Sequence, residues 1–346
     1  MRIGVLTGGG DAPGLNAAIR AVVLRAHALG HEVFGVADGW AGLLDGGKAR
    51  PLGPADVARI LGEGGTIIGT SRTDPRKKAD ARATVGRNIG RLGLDALVAI
   101  GGNDTLGVAA WLHEQGVRVV GVPKTVDNDL SETDYCIGFD TAVTVVVDAL
   151  DRLRTTASAH HRVVVVEAMG RDTGWVAAFG GLAGEADLIL VPEIPVTSEE
   201  IVGTMRRRRA MGDPDILVVV SEAVQIAGLE AQTTIDRDAF GHPRLDQRAI
   251  GAVLARHIEQ QTGIEARQVV LGHLQRGGSP TAVDRLWATR FGNAAVDLVH
   301  AGKGGVLPVA RGGHVEVATL RAAVGTTRRL SDDIVELVRR FAGTLA

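Results

Sequence analysis

Short apolar runs rich in β-branched residues alternate along the chain with longer segments of helical periodicity. The apolar runs predict strands at residues 3–7, 96–100, 117–122, 162–166, 188–192, 216–220 and 268–271. Several runs are apolar at every position, which is typical of parallel strands covered on both faces. The periodic segments predict helices at residues 15–29, 105–114, 142–155, 199–209 and 247–262. This alternation predicts an α/β fold with mainly parallel sheets.

The length of the chain predicts two lobes. Single hydrophobic cores stop growing near about 250–300 residues, and this chain has 346. We place the first changeover between lobes near Gly138 and Phe139, where a glycine separates the loop after Pro123 from a long predicted helix.

The composition excludes several classes of protein. A content of 45% hydrophobic and 23% charged residues is ordinary for a globular protein. The formal net charge of −2 argues against a general nucleic-acid or membrane partner. No apolar stretch reaches the roughly 18 residues of a membrane span, and the apolar start is too short for a signal peptide. The single cysteine, Cys136, allows no intrachain disulfide, as expected for a cytoplasmic protein.

Two glycine-rich turns each follow a predicted strand and precede a predicted helix, at residues 8–14 and 101–105. Glycines let backbone N–H groups approach an anion, and the helix N-terminus adds a partial positive charge. Neither turn has the Gly-Lys-Ser/Thr of a P-loop. Each could be only a tight turn, with Asp104 or Thr105 as a helix cap. Two such turns at the carboxyl ends of parallel strands nevertheless favour a ligand site there.

An acidic loop at residues 123–129 follows a predicted buried strand. A helix cap or an Asx turn accounts for one aspartate but hardly for both Asp127 and Asp129. Two carboxylates suit phosphoryl transfer, in which one accepts a hydroxyl proton and the other holds or orients a metal-bound phosphate. Lys124 supplies a point charge for a phosphate. We therefore predict catalytic residues in this loop.

Five segments carry a resemblance that extends over nearly the whole chain: residues 7–16, 69–72, 123–129, 169–171 and 271–278. In this order they resemble the motifs of the 6-phosphofructokinases. The resemblance implies two Rossmann-like lobes with the active site in the cleft between them. It also implies Mg²⁺ dependence and phosphoryl transfer to the 1-hydroxyl group of fructose 6-phosphate.

The resemblance divides the chain unevenly between the lobes. Residues 1–138 with about 275–322 match the lobe that binds the phosphoryl donor. Residues 139–274 with about 323–346 match the lobe that binds the sugar phosphate.

The resemblance also assigns catalytic roles. Asp127 matches the general base, Thr125 matches a hydroxyl group beside the transferring phosphoryl group, and Asp129 matches a carboxylate near Mg²⁺. Arg72 and Arg171 match arginines that neutralise charge on the phosphoryl group. Either arginine could instead be an ordinary surface side chain, Arg72 more readily because it lies in a polar run.

The implied sugar-phosphate residues form three pairs. They are Met169 and Glu222 for the fructose ring, His273 and Arg276 for the 6-phosphate, and Arg162 and Arg267. In the family, the last two arginines extend from a neighbouring subunit to the same phosphate. Taken alone, a methionine after a strand is usually core, and a histidine can be buried and satisfied. Several arginines directed at one phosphate are better explained by bidentate anion recognition. The pair from a neighbouring subunit implies a homodimer or a homotetramer.

The implied phosphoryl donor is pyrophosphate, bound by Gly10, Arg72, Asp104 and Lys124. Family members that use ATP have a glycine where this chain has Asp104, whereas those that use pyrophosphate have the aspartate and the lysine. A carboxylate there occupies and repels the α-phosphate position of ATP, and the ammonium group compensates the charge of a short diphosphate. ATP remains an alternative, because some similar ATP users also have the lysine.

One departure from the family concerns the metal. Asn103 stands where the family usually has an acidic residue that helps to bind Mg²⁺, so the implied ligands are Asn103 and Asp129. An amide oxygen still binds a hard cation but brings no charge. The departure leaves open a longer substrate, such as sedoheptulose 7-phosphate, or a non-catalytic sugar-phosphate-binding protein.

A second departure concerns regulation. Bacterial ATP-dependent members bind an allosteric nucleotide through several basic residues, of which Arg20 and Arg154 match two. Leu24, Met211 and Asp213 stand where further basic residues are expected. The implied enzyme is therefore non-allosteric.

Overall fold

A computed structural model describes residues 1–213, 215–230, 236–237, 240–241 and 245–341. The chain divides into two compact units. The first contains Met1–Thr141 and Arg276–Thr327, and the second contains most of residues 142–275 together with residues 328–341. Within the described ranges, no helix is both long enough and apolar enough to span a membrane.

The elements follow one another in an order typical of α/β proteins. The strands are β1 (Arg2–Thr7), β2 (Glu32–Val36), β3 (Ala49–Leu52), β4 (Ala96–Gly101), β5 (Val119–Pro123), β6 (Val163–Ala168), β7 (Leu188–Leu190), β8 (Val196–Thr197), β9 (Ile216–Ser221), β10 (Ile226–Ala227), β11 (Ala266–Val270), β12 (Val306–Arg311) and β13 (His314–Thr319). The helices are α1 (Leu15–Ala28), α2 (Trp40–Leu44), α3 (Ala81–Leu92), α4 (Asn103–Glu114), α5 (Phe139–His160), α6 (Trp175–Ala183), α7 (Ser198–Ala210), α8 (Ile250–Thr262), α9 (Ala282–His300), α10 (Leu320–Ala323) and α11 (Asp332–Phe341).

The first unit is built on a seven-stranded sheet in the order β13-β12-β5-β4-β1-β2-β3. The pairs from β12 to β2 are parallel, and β3 and β13 join the two edges as antiparallel strands. Alternate residues of β4 serve opposite faces: Val98 packs in one core with α1 and α9, and Leu97 packs in the other core with α4. Because β1, β4 and β5 are adjacent and parallel, the loops that follow them lie side by side at the carboxyl ends of these strands.

The second unit contains a parallel four-stranded sheet in the order β11-β6-β9-β7. Every residue of β6 and β9 is buried, as the continuous apolar runs predict. One face packs against α7 and α8, with Met205 and Leu254 in the core. β11 lies at the edge, and most of its residues are partly or fully exposed.

The predicted fold class, α/β with mainly parallel sheets, is confirmed, and all seven predicted strands form. Two predicted helices differ at their ends: α5 begins at Phe139 and ends at His160, and α8 begins at Ile250. The pattern did not predict α9 or the hairpin of β12 and β13. β13 is largely exposed, so it lacks the apolar run that identified the other strands.

Candidate functional site

The two glycine turns of the first unit contact each other directly. Gly8 N donates to the carbonyl of Ile100 at the end of β4. A Cβ atom at Gly8 would lie 2.6 Å from Thr105 Oγ1, a separation that real Cβ atoms do not adopt. Glycine is therefore required where the turn after β1 passes the start of α4. This close approach makes one continuous region of the two turns.

Lys124 lies beneath the first glycine turn. Its side chain is only 3% exposed, and Nζ donates to the carbonyl oxygens of Gly8 at 3.0 Å and Gly10 at 2.6 Å. Burial, and to a smaller extent the positive charge of Arg276, lower the pKa of Lys124 to about 7. The carboxylate of Asp11 acts in the opposite direction. The lysine is therefore a buried, titratable cation directly after the carboxyl end of β5.

Arg276 belongs to the same cluster of charges. Its Nη1 donates to the carbonyl of Asp11 at 3.1 Å, and a Cβ atom at Gly10 would lie 2.6 Å from Nη1. The exposed Arg72 is close enough to lower the pKa of Lys124 as well. Three cations thus surround the glycine turn. The resemblance pairs Arg276 with His273, which is an exposed residue of the second unit, and that pairing stays a prediction.

The acidic loop holds its catalytic candidates in a compact turn. Asp127 and Asp129 are buried. Thr125 Oγ1 accepts from Asp127 N at 3.2 Å and lies 3.3 Å from Asp127 Oδ2, to which it donates. Asn128 has a φ of 50°, in the left-handed region that asparagine tolerates. Its side chain accepts from Cys136 N at 2.9 Å, so Asn128 anchors the turn.

Asn103 and Asp129 approach each other across the loops after β4 and β5. Asn103 Nδ2 donates to Asp129 Oδ2 at 3.1 Å. Within the described part of the chain, no group of three or more His, Cys, Asp or Glu side chains could hold a metal. The carboxylate of Asp129 and the amide oxygen of Asn103 fit Mg²⁺, which is usually held by one or two protein groups together with substrate phosphates. Asp104, in the first turn of α4, also suits the positive end of the helix dipole.

The acidic loop is held at its downstream end by Asp284, which the sequence analysis missed. This fully buried carboxylate accepts from Tyr135 Oη at 2.7 Å, Gly138 N at 2.6 Å and Thr141 N at 2.9 Å. Thr141 Oγ1 donates to it as well, at 2.5 Å. Burial raises the pKa of Asp284, and these hydrogen bonds oppose that shift. Asp284 thus fixes the chain between the acidic loop and α5.

We expect Asp284→Ala to lower the free energy of unfolding by about 3 kcal/mol, because buried donors lose their acceptor. Urea denaturation measures the change. Asp297→Ala is the matched control on the same helix, since Asp297 forms a half-exposed ion pair with Arg25. It should cost less than about 1 kcal/mol. Equal losses in the two variants would show that the Asp284 network does not stabilise the fold.

In the second unit, Glu222 organises the segment that carries Met169 and Arg171. Glu222 Oε1 accepts from Gly170 N at 3.3 Å and from Arg171 N at 3.1 Å. Arg171 has a φ of 49°, an uncommon conformation that these contacts support. Arg248 donates to the carbonyl of Glu222 at 3.2 Å. The structure thus brings together the predicted residues Met169, Arg171 and Glu222.

Residues 328–330, late in the chain, contact the segment that follows Arg171 in the second unit. Trp175 Nε1 donates to the carbonyl of Arg328 at 3.0 Å, and the Arg328 guanidinium lies 4.0 Å from the centre of the Trp175 ring. Glu193 Oε1 accepts from Gly174 N at 3.1 Å and from Leu330 N at 3.3 Å. No local sequence signal indicated these contacts.

The remaining predicted arginines, Arg162 and Arg267, both contact Glu265. Glu265 is not among the residues predicted from the sequence. Arg154, matched to the effector site, forms ion pairs with Asp187 at 2.7 Å and with Asp215 at 3.0 Å. Carboxylates of the same unit therefore compensate the charge of Arg154.

Comparison with known proteins identifies the family. Residues 2–299 match the phosphofructokinase family. Four relatives named pyrophosphate–fructose 6-phosphate 1-phosphotransferase are 47% to 52% identical. The one from Dictyoglomus thermophilum is 49% identical over 99% of this chain and 98% of its own length. An ATP-dependent 6-phosphofructokinase from Streptomyces coelicolor is 46% identical over 96% of this chain and 97% of its own length.

A solved structure agrees with these sequence comparisons. Phosphofructokinase from Saccharomyces cerevisiae superposes with a TM-score of 0.83, at 31% identity, over 94% of this chain and 45% of that one. The resemblance inferred from the five segments is therefore confirmed, and the chain belongs to the phosphofructokinase family.

Proposed function

We propose that the protein transfers a phosphoryl group from pyrophosphate to the 1-hydroxyl group of fructose 6-phosphate, giving fructose 1,6-bisphosphate and phosphate. The observation that carries this proposal is the buried Lys124 against the carbonyls of Gly8 and Gly10, on the same loop as Asp127. A cation beneath a glycine turn suits a short polyanion, and a carboxylate three residues later suits proton transfer. Four relatives with 47% to 52% identity are named for this reaction.

The reaction assigns a distinct task to each group of the first unit. Asp127 accepts the proton of the sugar 1-hydroxyl group while the hydroxyl oxygen attacks a phosphorus atom of pyrophosphate. The bridging P–O bond of pyrophosphate breaks and phosphate leaves. Thr125 holds the Asp127 carboxylate, and Arg72 neutralises charge on the phosphoryl group. Asn103 and Asp129 would hold Mg²⁺, which neutralises charge on the phosphate oxygens when bound.

The second unit supplies the sugar-phosphate residues of the proposal except Arg276, which belongs to the first unit. Met169 packs on the fructose ring and Glu222 hydrogen-bonds to it, while Arg171 lies beside the transferring phosphoryl group. His273, Arg276, Arg162 and Arg267 bind the 6-phosphate. The arginines suit this task because the planar guanidinium group donates two parallel hydrogen bonds to a phosphate.

A screen of donors and acceptors tests the proposal. Initial rates are measured with pyrophosphate or ATP as the donor and with fructose 6-phosphate or sedoheptulose 7-phosphate as the acceptor. We expect kcat/KM for pyrophosphate with fructose 6-phosphate to exceed every other combination by at least about tenfold. A preference for ATP would overturn the donor, and no turnover with any pair would overturn the activity.

We expect Asp104→Gly to shift the ratio of kcat/KM for ATP to that for pyrophosphate towards ATP by at least about tenfold, or 1.4 kcal/mol. The substitution removes a carboxylate that repels the α-phosphate of ATP and creates space for it. Asp104→Asn separates the two causes, because it removes the charge and keeps the size.

Magnesium titration provides the control for this prediction. If Asp104→Gly acts only by weakening the metal site, activity with both donors should recover together at high Mg²⁺. If Asp104 instead excludes ATP directly, the ratio of kcat/KM for ATP to that for pyrophosphate should change at every Mg²⁺ concentration. An unchanged ratio would remove Asp104 from donor selection.

The proposal includes an oligomer, because the family reaches Arg162 and Arg267 across a subunit boundary. We expect Asp127→Ala and Arg267→Ala proteins, mixed under conditions that exchange subunits, to recover up to about a quarter of the parent activity. Half of the dimers are then hybrids, and one of the two sites in each hybrid is intact. Activity equal to the sum of the separate proteins, or a fully active monomer, would contradict the shared site.

A further inference from the structure

Two arginines and one glutamate lie together at the edge of the four-stranded sheet of the second unit. β11 pairs with β6 in parallel, with Ala266 opposite Val163. The residues just before these two, Glu265 and Arg162, therefore enter neighbouring strands side by side, and Val163 N donates to the carbonyl of Glu265 at 2.9 Å. Arg267 follows Glu265 by two positions, so along this extended segment the two side chains point to the same side.

Glu265 is shared by both arginines. Arg267 Nη2 is 2.5 Å from Glu265 Oε1, and Arg162 Nη2 is 3.4 Å from the same oxygen atom. The side chains of Arg162, Glu265 and Arg267 are 20%, 39% and 52% exposed, so a solute can reach the group. The buried Nε of Arg162 has no hydrogen-bond partner among the residues that the structure describes. One carboxylate oxygen thus holds two guanidinium groups that would otherwise repel each other.

We propose that Glu265 is the exchangeable counter-ion of a phosphate site. It holds Arg162 and Arg267 close together while the site is empty, and the phosphate group of the sugar displaces it. This inference rests on the proposed function, in which both arginines bind the 6-phosphate. A phosphate dianion offers three acceptor oxygens and more charge than a carboxylate, so it can satisfy both guanidinium groups at once. The exchange is the same whether the sugar is bound by this subunit or by a neighbouring one.

Glu265 acts on ligand affinity in two opposite ways. It favours binding by keeping the arginines in place, but exposed ion pairs contribute at most about fivefold to an equilibrium constant. It opposes binding because it occupies the arginines and places a negative charge beside the phosphate. Even in high dielectric, a unit charge a few ångströms from a dianion changes its affinity by about tenfold or more. The second effect is the larger, so Glu265 weakens binding and eases release.

Glu265→Gln tests the inference, because it keeps the shape of the side chain and removes its charge. We expect the dissociation constant of fructose 6-phosphate, measured by isothermal titration calorimetry without pyrophosphate, to fall by about fivefold to tenfold. Turnover at saturation should stay within about twofold of the parent. The unliganded variant should unfold at a lower temperature than the parent, because the two arginines then repel each other.

Glu265→Gln should thus raise the affinity for fructose 6-phosphate and lower the stability of the unliganded protein. A residue that only supports the fold would instead lose affinity and stability together. Glu259→Gln is the matched control. Glu259 is similarly exposed but lies farther away, 3.8 Å from Arg267 Nη1, so its substitution should change each quantity by clearly less than Glu265→Gln does.

Arg162→Ala and Arg267→Ala test the underlying function separately. If neither variant raises the dissociation constant of fructose 6-phosphate, the assignment of these arginines fails and the inference fails with it. If both raise it while Glu265→Gln leaves it unchanged or raises it, only the counter-ion role of Glu265 is overturned.

Discussion

Replacing Asp127 with asparagine should lower turnover by a factor of about 10² to 10⁴, the usual contribution of a positioned general base. The change keeps the shape of the side chain, so the hydrogen bond between Thr125 Oγ1 and Asp127 N can persist. What is lost is the carboxylate that we propose as the acceptor of the sugar hydroxyl proton. The KM for fructose 6-phosphate should change little, because Asp127 contributes mainly to the transition state.

Measuring both directions of the reaction sharpens this test. An enzyme does not change the overall equilibrium, so Asp127→Asn should slow the reverse reaction, from fructose 1,6-bisphosphate and phosphate, in proportion. Asp134→Asn is the control on the same loop: Asp134 is exposed and accepts from Gly312 N at 2.9 Å. It should retain activity within about twofold. If Asp127→Asn retains activity within about tenfold, Asp127 is not the base.

The parts of the fold that could be predicted from the sequence are those whose signals are local. The runs that form β4, β6 and β9 are apolar at every position, because these strands are buried on both faces. The two glycine turns and the acidic loop each follow such a strand directly. Because β1, β4 and β5 are parallel neighbours, the loops that follow them must meet at the carboxyl ends of the strands. Local patterns plus one topological rule therefore predicted that these three loops are neighbours.

The contacts that the sequence could not predict join residues far apart in the chain. Lys124 and Gly8 are 116 positions apart, and Asp284 and Thr141 are 143 positions apart. Asp284 lies in a helix whose pattern gave no reason to expect a buried carboxylate. Such pairs depend on how elements pack, which periodicity does not specify.

Glu265 was not predicted as a functional residue, and the reason differs from that for Asp284. It lies two residues before Arg267, and the matched motif begins only at residue 271. Its contact with Arg162 follows from strand register, since the pairing of β11 with β6 sets the two residues side by side. Charged residues at the start of an edge strand are usually solvated, so the sequence alone favoured no function.

Lys124→Met should raise the KM for pyrophosphate by about 10²-fold at pH 6, because truncating one partner of a buried charged pair costs about 2–5 kcal/mol. An ammonium group has three hydrogens, and the carbonyls of Gly8 and Gly10 accept two of them. The third remains for the anion. A neutral amine would use both of its hydrogens on these carbonyls and turn its lone pair towards the ligand.

The pH dependence follows with a definite sign. Burial lowers the pKa of Lys124 to about 7, so the empty site carries the ammonium group below pH 7 and loses it above. The KM of the parent for pyrophosphate should therefore be constant below about pH 6 and rise above about pH 7 by up to about tenfold per pH unit, towards the roughly 10²-fold higher KM of Lys124→Met. Protonation of pyrophosphate itself also changes with pH, but Lys124→Met experiences the same change, so the difference between the two profiles isolates the lysine. Lys303→Met, at an exposed position of the first unit, is the matched control and should follow the parent. Parallel profiles for the parent and Lys124→Met would mean that the charge of Lys124 does not hold the donor.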